Sequence, residues 1–264
     1  MRELPDGGLL CIPQPTHALM AAQFCRHWGN RDFVRPEPWE LVLPGVAQHD
    51  NGWVEWEAAA RLRSDGVPMD FVHYADVAGK AALWRRGVER AWAQHPYMGL
   101  LVAHHAALLY RVGLDRGQYR ADPAGARVVA QFLAWVEGLE RRARAHLAGV
   151  PELVAALAPD VLASNTRLLQ FGDRAALQVA MPWPPESWIR VPVDGRGSYT
   201  ELRMVYDPDE RVIAFEPWPY GVETFPVVLE GYRLARRTFP DEPTYQEALA
   251  QAPWERQEWR VVRG

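Results

Sequence analysis

Lysine is almost missing from this chain. Lys80 is the only one, although arginine and lysine together number 29 in 264 residues. Positive charge is therefore nearly all guanidinium, which a GC-rich coding sequence produces on its own and which an arginine-built phosphate site would also use. The formal net charge is -4, so there is no basic excess to suggest a broad nucleic-acid face. Cys11 and Cys25 are the only cysteines, and no CxxC occurs, which excludes a disulfide framework and a zinc ribbon. No segment approaches the ~20 apolar residues that span a bilayer. No basic stretch followed by an apolar run opens the sequence, so a cytoplasmic protein without membrane or nucleic-acid partners is expected. The glycine loops of dinucleotide and nucleotide sites and the Gly-x-Ser-x-Gly elbow are all missing. Hydrophobic residues make up 48% of the chain, enough for a sizeable core without a structural metal.

What is present is organised in two parts. A short strand is expected near residues 9–12, and a helix opens at Pro15-Thr16 and closes at Gly29-Asn30. Ala18, Ala21, Ala22 and Cys25 give this helix a small-residue face for close contact. Residues 39–50 have helical spacing, with an interruption expected at Pro44-Gly45 and a left-handed glycine stop at Asn51-Gly52. Residues 53–74 read as irregular. Further helices are expected at 77–94, 96–112, from Asp122-Pro123 onward, at 151–158 and at 160–181. Beyond Pro182-Trp183-Pro184-Pro185 the period shifts from 3.6 toward 2, giving strands at 187–193, 199–206, 211–216 and 225–235. A helix near 243–251 and a strand near 256–262 follow. The expected fold is α+β and mainly helical: a helical domain over residues 1–181, then a β-rich extension over 182–264 packed on it, or the two as one domain. The helical part is expected to hold the chemistry. Exposed strand edges of the β part would suit a homodimer contact.

The chemistry is carried by histidine and aspartate in apolar surroundings. His49-Asp50 offers an imidazole nitrogen and a carboxylate to one point, and His17 lies in the first turn of the preceding helix. His105 stands within Leu100-Leu101-Val102-Ala103-His104-His105-Ala106-Ala107, and Asp173 within Leu168-Leu169-Gln170-Phe171-Gly172-Asp173. A buried carboxylate needs a cation or several donors, so Asp173 asks for a partner, either a metal or an arginine such as Arg174 or Arg167. Two imidazoles and two carboxylates suit Mn, Fe, Co, Ni or Zn better than Ca, as one ion or two. His105 is a candidate general acid or base or a second-metal ligand, and His73 and His104 are further candidates. Trp53, with Trp56 and Tyr74, would line a pocket for a ring or pack a core, and packing is the commoner role for such a set. Glu55 and Glu57 read as surface charges.

The order His17, His49-Asp50, Asp173 resembles that of HD-domain metal-dependent phosphohydrolases. The whole chain is also similar to an uncharacterised bacterial family, through Ile12-Pro13-Gln14-Pro15-Thr16-His17-Ala18, His49-Asp50-Asn51-Gly52-Trp53, Leu101-Val102 with His105, Asp173-Arg174, and Glu216-Pro217-Trp218-Pro219-Tyr220. The resemblance implies an HD-like helical core followed by a C-terminal antiparallel β extension, with His17, His49, Asp50 and Asp173 as metal ligands. It also implies hydrolysis of a phosphoester of a small molecule or nucleotide. HD proteins with two metals add histidines between the His-Asp pair and the last Asp, where His73 and His105 fall. Two irons bridged by Asp50 would instead imply an oxygenase. The chain departs from the pattern at Trp53, where many HD hydrolases carry Lys or His. Arg85, Arg86 or Arg174 would then supply the electrophile, or the scaffold would serve as a non-enzymatic metal-binding sensor.

Overall fold

Proline and aspartate start most of the helices. Pro at the first turn needs no amide partner, and an Asp before it accepts from an otherwise free backbone N–H. The computed structural model describes residues 1–264. Its helices are α1 (Gln14–Cys25), α2 (Trp39–Ala47), α3 (Val54–Glu57), α4 (Val77–Gln94), α5 (Pro96–Asp115), α6 (Pro123–Leu147), α7 (Pro151–Ala156), α8 (Pro159–Ala180) and α9 (Glu242–Gln251). Asp76, Asp122 and Asp241 cap α4, α6 and α9 by accepting from Gly79, Gly125 and Thr244. Residues 53–74 are irregular apart from the single turn α3.

Two local expectations at the His-Asp pair are corrected. Helix α2 runs through Pro44 without a break. Gly45 at that point serves packing, since a Cβ there would lie 3.0 Å from the Leu101 side chain of α5. Gly52 is not a left-handed stop. It sits in a 3-10 turn, Asn51–Trp53, pressed against α4, where a Cβ would meet the Leu83 carbonyl oxygen at 2.0 Å. Arg90 of α4 donates to the Asn51 carbonyl and pairs with Glu55, tying that turn down.

The strands are β1 (Arg2–Glu3), β2 (Leu9–Cys11), β3 (Glu186–Pro192), β4 (Tyr199–Asp207), β5 (Val212–Glu216), β6 (Phe225–Leu234) and β7 (Trp254–Arg263). They form one curled sheet in the order β1-β2-β6-β7-β5-β4-β3, a half-barrel. All neighbours are antiparallel except β5 and β7, which run parallel. About 49% of the chain is helical and about 19% strand.

This overturns the expected HD-like helical core followed by a C-terminal antiparallel extension. The sheet is mixed, because the last strand enters between β5 and β6 after the α9 crossover. It also recruits the N-terminal strands β1 and β2, and α1 and α8 pack directly on it. One hydrophobic cluster joins Phe24 of α1 and Phe171 of α8 to Phe215 and Val227 of the sheet. The loop at Trp218-Pro219-Tyr220 clamps the end of α1: Gly29 N–H donates to the Pro219 carbonyl and Asn30 Nδ2 to that of Trp218. No helix is long and apolar enough to cross a membrane.

Candidate metal centre

Four elements bring the polar residues together. Helix α1 carries His17, the end of the α2 segment carries His49 and Asp50, α5 carries His105 and α8 carries Asp173. The register between α1 and α8 is set by small residues. Gly172 lies so close to α1 that a Cβ on it would stand 2.7 Å from the Ala21 carbonyl oxygen and 2.8 Å from Cys25 Sγ. The small face of α1 thus does what its spacing suggested, and it places His17 next to Asp173.

The tightest set is His17, His49 and Asp173, whose donor atoms all lie within 4.8 Å of one another. His17 Nε2 is 2.9 Å from Asp173 Oδ1 and 4.0 Å from Asp50 Oδ2. His49 Nε2 is 3.3 Å from Asp50 Oδ2 and 3.6 Å from Asp173 Oδ1. His105 Nε2 stands 3.7 Å from Asp173 Oδ2, with its ring edge-on to that of His49 at 5.2 Å. His17 and His49 are only 2% and 1% exposed, and Asp173 keeps 14% of its side chain open.

The tautomer of His49 is fixed from behind. Its Nδ1–H donates to the Val46 carbonyl at 2.8 Å. In the neutral ring Nε2 then carries a lone pair, aimed at two carboxylates and without a hydrogen-bond partner. A lone pair facing two anionic oxygens is repulsive unless a proton or a metal cation lies between them. The spacing fits one. Ligand atoms about 2.1 Å from a common centre stand roughly 3.0 Å apart at right angles and roughly 3.4 Å apart at tetrahedral angles. Both His105 nitrogens and His17 Nδ1 are likewise buried without partners, a costly arrangement for polar atoms.

The electrostatics agree. Burial disfavours charge on His49, yet Asp50 and Asp173 outweigh it and raise its pKa well above the ordinary histidine value. Burial also opposes charge on Asp173, but its hydrogen bond to His17 and the nearby His49 hold it well below the carboxylate range. A proton and a metal ion thus compete for one point. His105 has lost that competition: burial pulls it down to about 4, leaving a neutral imidazole beside the cluster.

The other sequence candidates lie elsewhere. His73 is on the surface, its Nδ1 2.6 Å from Asp70 and its Nε2 facing Arg63. Trp53 is buried edge-on to Trp56 and Tyr74. Arg85 stacks on Trp135, Arg86 pairs with Glu55, and Arg174 stacks on Trp183 at 4.1 Å. Asp173 is ion-paired with histidines, not with Arg174 or Arg167. His104 faces Glu140 at 3.3 Å.

Glu57 is a correction. It is not a surface charge: both its oxygens accept from the Gln14 amide, at 2.9 and 3.0 Å, at the start of α1. No local signal marked it, because its partner Gln14 stands 43 residues away in the chain. Burial pushes the Glu57 carboxyl up to about 8 against the pull of the Gln14 amide, and the charge on Asp50 adds to the rise. The unfolded value is near 4.5, so the native state binds more protons across that window, and stability falls as pH rises from about 4.5 to about 8. Glu57→Gln keeps an acceptor for Gln14 and cannot ionise. Urea unfolding at pH 5 and pH 9 is expected to show wild type losing roughly 1–3 kcal/mol more than the variant between the two.

No curated protein and no solved structure matches the chain. The family described as Protein of unknown function (DUF3891) matches residues 1–236, and the chain belongs to that family.

Proposed function

We propose that the protein is a metal-dependent hydrolase of a phosphoester, with His17, His49 and Asp173 holding a divalent transition-metal ion and Asp50 as an adjacent fourth ligand. The observation that carries this reading is His49 Nε2, oriented by the Val46 carbonyl and set 3.3 and 3.6 Å from carboxylate oxygens of Asp50 and Asp173. Such an ion supplies a water acidic enough to ionise near neutral pH and offsets charge on phosphoryl oxygens. The residues do the rest. His105, neutral at pH 7, offers its unpartnered Nε2 as a proton acceptor 3.7 Å from Asp173. Asp50 and Asp173 supply negative charge that favours the cation, and the Val46 carbonyl keeps His49 oriented. The ligand order resembling that of HD-domain phosphohydrolases supports the chemistry through these residues alone, apart from fold.

The test is a phosphoester panel assayed with Mn-loaded protein, wild type beside Asp50→Ala. Activity that needs the metal and falls about 100-fold or more in the variant is expected. Equal rates in the two proteins would remove the reading. A second reading, an iron-dependent oxygenase, is favoured by the two-histidine, one-carboxylate composition of the tightest set. Oxygen uptake by the Fe(II)-loaded protein would select it.

A further inference from the structure

A cavity of about 470 Å³ adjoins the cluster, within the size range of small-molecule sites. Its walls share elements with the metal centre. His17 of α1 lines it. Trp56 and Glu57, which follow the His49-Asp50 turn, line it, and so does Leu177, one helical turn beyond Asp173 on α8. Of its 24 lining residues, 16 are hydrophobic, among them Ile12, Met69, Phe71 and Leu249. The charged residues in its wall are occupied by the protein itself. Glu57 accepts from Gln14, Arg61 donates to the Trp56 and Ala59 carbonyls, and Asp70 accepts from His73. What remains of the wall is mainly apolar, with Gln14, Tyr232, Tyr245 and Gln246 as its uncharged polar side chains. His17 is 2% exposed, and its Nδ1 and the Trp56 Nε1 are buried without partners.

Resting on the reading above, we infer that this cavity holds the apolar group of the substrate, so that the substrate is an alkyl or aryl phosphoester whose reacting end lies at His17. A nucleotide or sugar would need donors, acceptors and a free cation along most of the wall, whereas 16 of its 24 residues are hydrophobic and Glu57, Arg61 and Asp70 are engaged by the protein. An apolar chain needs only area removed from water.

The test uses non-hydrolysable probes on the full-length protein. Binding of methylphosphonate and octylphosphonate is measured by titration calorimetry with and without Mn, on wild type, Leu249→Trp and Met69→Trp. The two variants fill the cavity from different segments and leave the metal ligands intact, so one misfolded variant does not decide the matter. Burial of a methylene is worth roughly fourfold in affinity, so three buried out of seven already give a preference of about 50-fold for the octyl compound. That preference is expected in wild type and is expected to collapse in both folded variants, with methylphosphonate binding unchanged. Equal affinity for the two probes, or a preference that survives both filling variants, overturns the inference. Metal content of the same samples separates the two failures. Bound Mn without a chain preference sinks this inference alone. A chain preference lost on filling, in protein that binds no Mn, sinks the metal reading and leaves the apolar site standing.

Discussion

Asp173→Ala is expected to abolish metal binding. Wild type purified without chelator and incubated with Mn, Fe or Zn should carry close to one equivalent of metal by plasma mass spectrometry, and the variant less than a tenth of that. The expectation follows from the place of Asp173 in the cluster: it is within 4 Å of His17, His49 and His105 and is their shared anion. Loss of a residue that only supports a ligand typically costs 10–100-fold in affinity. Loss of the anion common to three imidazoles should exceed that. Thermal unfolding gives a second reading of the same event. Metal at a thousand times its dissociation constant adds about 4 kcal/mol to wild type, which for a chain of this size corresponds to a rise of roughly 8–16 °C in Tm. The variant should show no rise. A variant that keeps both the metal and the thermal shift would reduce the cluster to a buried polar network, with Asp173 as its hydrogen-bond acceptor.

The same residues show how far the sequence could be read. His105 and Asp173 were legible because each is polar in an apolar run, and folding does not bury such groups without partners; His49 and Asp50 stood out as an adjacent imidazole and carboxylate. Their helices were legible from period and caps. The sheet was not. Strand periodicity marks 187–193, 199–206, 211–216 and 225–235, but nothing in a period-2 pattern says that β7 enters beside β5 in parallel or that Leu9–Cys11 pairs with β6. Pairing depends on which edge is free after the helices dock. The expected layout of a helical core with an antiparallel extension therefore did not hold: one curled mixed sheet takes in both ends of the chain. Glu57 and the cavity were hidden for a related reason. Their surroundings come from α1, α8, α9 and the loop before α4, which only the fold brings to one place. His73 misled because its neighbours in sequence, Asp70 and Arg63, already satisfy it at the surface.

Gly52 is where the fold and the site depend most directly on one atom. Its residue type suggested a chain reversal, but what the structure needs is the absence of a Cβ. One added there would stand 2.0 Å from the Leu83 carbonyl oxygen, 2.9 Å from the Leu83 carbonyl carbon and 3.0 Å from the Gly87 amide nitrogen. All three are backbone of α4, so no side-chain rotation relieves the clash, and the turn must lift away from the helix. Gly52→Ala is therefore expected to cost about 3 kcal/mol or more in urea unfolding, at or beyond the upper end for added volume in a packed core. Gly138→Ala on α6 is the contrast. Its Cβ meets only the far end of Arg141, at 3.8 Å, so the better helix former should leave stability unchanged or raise it by up to about 1 kcal/mol. The consequence for the site follows from chain connectivity. His49 and Asp50 lie three and two residues before Gly52, and Arg90 holds the intervening Asn51 to α4. Lifting the turn moves the Nε2 of His49 relative to Asp173, whose own position is fixed on α8 by Gly172. Folded Gly52→Ala protein should consequently bind metal at least tenfold more weakly than wild type, although no ligand has been changed. Wild-type affinity in that variant would mean that the His-Asp pair is held by α2 and Val46 alone, and that the contact with α4 serves stability only.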